Sequence, residues 1–233
     1  MMAMNALSSE IEHTAVRVPV GQIRLAADLA LPPQAIGLVL FAHGSGSSRK
    51  SPRNRHVAGI FNEAEIATLL IDLLTEEEEA IDVQTAGLRF DIALLAGRLA
   101  GITDWIQTQP RLKVLGLGYF GASTGAGAAL VAAAERPNLI RAIVSRGGRP
   151  DLAGEALARI VAPTLCIVGS RDPVVMDLNY AALERFPHET KHKLQIVRGA
   201  SHLFEEVGTL DQVAIHARDW FREYLPANPV SRA

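Results

Sequence analysis

Apolar side chains alternate with polar ones near the start of the chain, at Val16, Val18 and Val20 and again at Ile23, Leu25, Ala27 and Leu29. A period of two predicts half-buried strands, here Thr14–Val20 and Gln22–Leu31, joined across Gly21 as an antiparallel pair at a sheet edge. The pattern then changes to short runs that are apolar throughout: Gly37–Phe41, Ala67–Ile71, Lys113–Phe120, Leu139–Ser145, Thr164–Val168 and Lys193–Val197. Strands apolar on both faces suit a parallel sheet covered by helices. Helical spacing fills the intervals at Asn54–Glu65, Thr85–Gln109, Ser123–Glu135, Pro173–Phe186 and Thr209–Tyr224. In the second and longest of these, Leu88, Ile92, Leu95, Leu99, Ile102 and Ile106 share a face. The alternation predicts an α/β fold: one doubly wound domain over residues 14–225, about eight mostly parallel strands with an N-terminal antiparallel hairpin, and loose termini at 1–13 and 226–233. No internal repeat or linker interrupts it.

Composition narrows the partners. Lys plus Arg is 23 and Asp plus Glu is 25, a formal charge of −2, which gives no electrostatic reason to expect a nucleic acid or an anionic membrane. The lone Cys166 lies in an apolar run and reads as a small buried hydrophobe, so no internal disulfide is possible. The N-terminus lacks a basic segment followed by an apolar one, and no apolar run is long enough to span a bilayer. A cytoplasmic protein is expected. The acidic run Glu76–Glu79 reads as a solvated helix start or loop, and no metal site is expected, because no histidine or spaced carboxylate accompanies it.

Chemistry concentrates at Gly121-Ala122-Ser123-Thr124-Gly125, a G-x-S-x-G sequence between a strand and a helix. A serine on such a turn projects its hydroxyl above the sheet's C-terminal edge, and the small neighbours make the turn sterically possible. The helix it opens directs free N–H groups and a positive dipole end towards a developing oxyanion. The alternative is a glycine-rich turn whose serine only caps the helix. A serine nucleophile needs a base and a group that orients the base. Asp172 follows the seventh strand and His202 the eighth, so both arrive at the edge where Ser123 stands, in the chain order Ser, Asp, His. Asp151 is a rival acid whose other role is a helix cap. Among seven histidines only His43 and His202 directly follow sheet strands. His43 precedes Gly44-Ser45-Gly46 and reads as a brace for that loop, with the Ser45 N–H a second oxyanion donor beside the Thr124 N–H. Gly116, Gly118 and Gly121 match a dinucleotide-binding spacing, but the middle residues belong to the strand and no acid ends the next one.

These residues resemble the α/β-hydrolase superfamily and, within it, the dienelactone hydrolase-like group. The likeness runs from about Val16 to Leu225 and is most specific at His43–Asn54, Phe120–Gly125, Ser145–Asp151 and Ala200–Phe204. It implies a Ser123, Asp172, His202 triad that hydrolyses an ester or lactone through an acyl-enzyme, with no cofactor. Dienelactone hydrolases proper carry a cysteine at the elbow; Ser123 in its place favours a more ordinary carboxylesterase. In this fold a lid is usually inserted after the sixth strand, but the interval from Ser145 to Thr164 holds a single helix, so the site should be open. Arg49, Lys50, Arg53, Arg55, Arg146 and Arg149 lie on loops near that edge, and Arg53, Arg146 and Arg149 are the candidates to bind a substrate carboxylate. Surface solvation or pairing within the loop is their other role. The expected partner is a small-molecule ester substrate, with no nucleic acid or membrane, and the protein is expected to be a monomer or homodimer. A thioesterase or acyltransferase would use the same triad, and a non-catalytic binding protein on this fold is the alternative of a different class.

Overall fold

In the computed structural model, residues 10–226 are described. The chain runs β1 (Glu12–Val20), β2 (Ile23–Leu31), β3 (Gly37–Ala42), α1 (Pro52–Glu63), β4 (Ile66–Ile71), α2 (Glu76–Thr85), α3 (Ile92–Thr108), β5 (Leu117–Ala122), α4 (Thr124–Glu135), β6 (Ile140–Arg146), β7 (Thr164–Gly169), α5 (Pro173–Leu183), β8 (His192–Val197) and α6 (Thr209–Tyr224). The strands form one eight-stranded sheet in the order β1-β2-β4-β3-β5-β6-β7-β8. The first hairpin is antiparallel and joins the sheet antiparallel to β4, while β4, β3 and β5 to β8 run parallel.

The continuous apolar runs follow from helices on both faces. On β3, Leu38, Leu40 and Ala42 enter one core with α3 and α4, while Val39 and Phe41 enter another with α1 and α6. The second core is built around Phe41, Phe61, Phe120 and Phe221, whose ring centroids lie 4.8–5.9 Å apart. Each such contact adds about 0.5–1.5 kcal/mol beyond area burial. Phe41 and Phe120 sit just before the two loops that matter for function, so this cluster fixes where those loops leave the sheet. Cys166 is fully buried, and burial pushes its thiol up to about 12, which keeps it unreactive.

Three segments depart from the sequence pattern. The expected helix over Thr85–Gln109 is divided. The acidic run is the first turn of α2, closed by a reciprocal Thr75–Glu78 capping box, and α2 ends at Ala86 with φ 53°. The Asp82 carboxylate then accepts from the Leu88 and Arg89 amides and pairs with the Arg89 side chain at 2.5 Å, which folds the chain back through a 3₁₀ turn at Leu88–Phe90. Asp91 caps α3 by accepting from the Leu94 amide. The fifth strand lies further along than Lys113–Phe120, at Leu117–Ala122, because turns with an exposed Val114 occupy the preceding residues. The first strand begins at Glu12. Between β6 and β7 there is only a 3₁₀ segment, Pro150–Arg159, and no lid domain. Of the termini expected to be loose, 1–9 and 227–233 lie outside the described residues. Among the described residues, no helix is long and apolar enough to cross a membrane.

Candidate active site

Every candidate residue of the proposed chemistry leaves the C-terminal end of a parallel strand. Ser123 follows β5 with φ 49° and ψ −121°, a backbone conformation costly for a residue with a side chain. The turn closes because the flanking positions carry no Cβ. A Cβ on Gly121 would lie 2.4 Å from the Ala126 Cα, and one on Gly125 would lie 2.3 Å from the Ala42 carbonyl oxygen. The Ser123 side chain makes no cap hydrogen bond to α4, so it does not fill the helix-capping role considered for it.

His202 lies in the loop between β8 and α6, and its Nδ1 is 2.6 Å from Asp172 Oδ2. Asp172 precedes Pro173 at the start of α5, a position where an aspartate commonly caps, yet its carboxylate caps nothing and faces the imidazole. The rival acid is engaged elsewhere: Asp151 receives two bonds from Arg149, at 2.8 and 2.7 Å. The sequence reading missed a brace in the His202 loop. Both Glu206 carboxylate oxygens accept the Ser201 amide, at 3.1 and 3.0 Å, which holds that carboxyl below its ordinary pKa. Only its place four residues past the histidine, before α6, hints at that role.

On the β3 side, His43 Nε2 accepts from the Leu73 amide at 3.1 Å, so Nδ1 carries the proton and donates to the Gly44 carbonyl at 2.9 Å. Burial holds this ring below its ordinary pKa. The Ser45 amide donates to the Thr124 hydroxyl at 3.0 Å, tying the β3 loop to the first residue of α4 across 79 positions of sequence. The Thr124 hydroxyl was not among the sequence candidates.

Ser123, His202, Ser45, Arg53 and Arg146 share the wall of one cavity of about 200 Å³. A larger cleft of about 610 Å³, walled by the β3–α1 loop and the start of α2, shares Ser47 and Arg53 with it. The arginines divide sharply. Arg49 pairs with Asp72 and Asp28, and Arg55 with Asp28. Arg149 does not line the cavity; Asp151 satisfies its guanidinium two residues away, a spacing that could have been read as local pairing. Arg53, on α1, and Arg146, the last residue of β6, do face the cavity.

A twisted, mostly parallel sheet with helices on both faces and a strained serine turn at its C-terminal edge defines an α/β-hydrolase. The crystal structure of a dienelactone hydrolase from Anabaena variabilis superposes with a TM-score of 0.90 at 58% identity, over 92% of this chain and 99% of that one. The chain belongs to the dienelactone hydrolase family. Est1E from Butyrivibrio proteoclasticus shares the fold, with a TM-score of 0.74 at 17% identity over 90% of this chain and 98% of that one. A Mycobacterium tuberculosis protein provisionally named a phosphoribosyl transferase is 56% identical over 210 residues, which are 90% of this chain. The chain spans only 46% of that relative's length. No protein-family model matches the chain. Fold and family support a hydrolase.

Proposed function

We propose that the protein is a serine hydrolase that cleaves small carboxylic esters or lactones through an acyl-enzyme. One observation carries the reading: Ser123, on its strained turn, opens into the same cavity as His202, whose far side is held by Asp172 at 2.6 Å. In this reading Asp172 keeps the imidazole proton on Nδ1 and leaves Nε2 free as a base. His202 Nε2 takes the Ser123 hydroxyl proton as Oγ bonds to the carbonyl carbon. The carbonyl oxygen becomes an oxyanion held by the Thr124 amide and the Ser45 amide, each worth roughly 100- to 1,000-fold in turnover. Ser45 reaches it by sharing the hydrogen it now gives to Thr124. When the tetrahedral centre collapses, the carbon–oxygen bond to the alcohol breaks and His202 returns the proton to the leaving oxygen. Water then repeats the sequence on the acyl-enzyme and releases the acid, so no cofactor enters. The protein acts in the cytoplasm on a small-molecule ester.

Thioester cleavage or acyl transfer would use the same residues with a different leaving group or acceptor. The relative's name points to phosphoribosyl transfer. This chain has the hydrolase fold and spans only 46% of that relative's length, so the name does not carry over to it.

Labelling with a fluorophosphonate probe tests the reading. Wild type should label, and both Ser123→Ala and His202→Ala should lose the label. Labelling that survives Ser123→Ala overturns the nucleophile assignment. A folded wild type that does not label identifies a binding protein instead.

A further inference from the structure

Both backbone groups of the proposed nucleophile are tied to the same short segment. The Ser123 amide donates to the Arg146 carbonyl at 3.3 Å, and the Ser123 carbonyl accepts from the Arg149 amide at 3.1 Å. Between those two anchors lies Gly147-Gly148, the turn by which the chain leaves β6. Gly147 has φ 49° and lies against the proposed base. A Cβ there would be 3.0 Å from the His202 carbonyl oxygen and 3.6 Å from the imidazole Cε1. Gly148 packs on α4, where a Cβ would come within 2.6 Å of the Ala126 Cβ. Residues 146–149 therefore form a strap that touches nucleophile and base at once. A strained turn such as that at Ser123 persists only where its surroundings over-determine it, and the strap supplies two of the bonds that do so.

The strap is held from outside by one side chain. Asn179 is fully buried on α5, and its Nδ2 donates to the Gly148 carbonyl at 3.0 Å and to the Val175 carbonyl at 2.7 Å. Its Oδ1 is buried with no hydrogen-bond partner among the described residues. A position that needed only packing would suit an apolar side chain of similar volume, which leaves no acceptor unsatisfied. The donor is what asparagine contributes here. The same helix opens on Asp172, whose Oδ2 is 2.6 Å from His202 Nδ1. One helix thus holds the imidazole directly at its start and the strap beside it about two turns later.

We propose that Asn179 is a positioning residue for the hydrolytic reaction: through the Gly148 carbonyl it sets the strap, and through the strap the placement of Ser123 relative to His202. This rests on the serine hydrolase reading, and its test separates the two. Asn179→Leu keeps the volume and removes the donor. With 4-nitrophenyl butyrate its kcat should fall by about 10- to 100-fold while KM stays within about two-fold, because a displacement of about 1 Å is enough for such a loss. The rate of fluorophosphonate labelling should fall in parallel. Asn62→Leu is the control, since Asn62 is also a buried amide, donating to the Ile66 carbonyl and the Thr68 hydroxyl at the far end of α1. It should lower the Tm and leave kcat within about two-fold. If Asn179→Leu does not fold, Asn179→Ser carries the test, because a helical serine bonds the carbonyl four residues back, here Val175, and gives up Gly148. The crystal structure of the variant should show Gly147, Gly148 and the His202 ring displaced by about 1 Å. A kcat within about two-fold of wild type, a loss matched by Asn62→Leu, or a strap and imidazole that stay in place overturns the proposal. A wild type inert to fluorophosphonate refutes the hydrolase reading, and the displacement of strap and imidazole then decides the role of Asn179 by itself.

Discussion

His43 should make the protein acid-sensitive from near neutrality, through the loop that carries Ser45. Its Nε2 accepts from the Leu73 amide, so protonation there would set two N–H groups against each other. Burial is the dominant influence on the ring and favours the neutral form; the Gly44 carbonyl and the Asp72 and Glu79 carboxylates pull the other way and do not overcome it. The folded pKa therefore lies below the unfolded value of about 6.5. Below that pH the unfolded chain takes up a proton that the folded chain refuses. Stability then rises with pH up to about 6.5 and is lost as pH falls through it. For a ring that stays neutral throughout, the loss between pH 7 and pH 5 reaches at most about 2 kcal/mol. His43→Asn keeps a donor for Gly44, gives up the Leu73 acceptor and does not titrate. Urea unfolding of both proteins at pH 7, 6 and 5 reads the difference. The variant should be less stable at pH 7 but lose less on acidification, and the two curves should converge by up to about 2 kcal/mol. Parallel curves would refute the reasoning, since every other titrating group is common to both proteins.

Two further predictions follow from the site's geometry. Asp172→Asn should cut kcat for an ester by about 10⁴-fold, because an amide cannot hold the same imidazole tautomer. Asp151→Asn, which removes only the partner of Arg149, should leave kcat within about three-fold, and steady-state assays of the pair decide which acid serves His202. Gly125→Ala would drive a methyl to 2.3 Å from the Ala42 carbonyl and 2.4 Å from that of His43, both backbone atoms that cannot swing aside. It should destabilise by about 1–3 kcal/mol in denaturant unfolding and lower turnover further by displacing the β3 loop; wild-type Tm and activity would show that the turn has room.

Local signals in the chain carried the plan of the fold. Period-two and continuous apolar runs are set by which faces of a strand are covered, so the edge hairpin and the interior strands could be told apart from Val16 to Val197. The G-x-S-x-G turn is local at Gly121, whose Cβ would meet Ala126, whereas Gly125 is required by the end of β3 at Ala42 and His43, far off in the sequence. Asp172 and His202 were legible because a residue that directly follows a parallel strand has its position fixed by that strand. The break before α3 was not, since it depends on Asp82 turning back to hold Leu88 and Arg89.

By itself, then, the sequence determined an α/β domain with one sheet edge bearing Ser123, Asp172 and His202. Only the tertiary structure decided that β4 lies between β2 and β3, that His43 serves Leu73, and that Thr124 anchors Ser45. It also separated three arginines that look alike in the sequence. Arg149 has its carboxylate two residues away and Arg53 finds Glu205 from a distant part of the chain, whereas Arg146 reaches the cavity with no carboxylate partner among the described residues. Backbone pattern depends on neighbours in sequence. Whether a charge is paired or left waiting depends on neighbours in space.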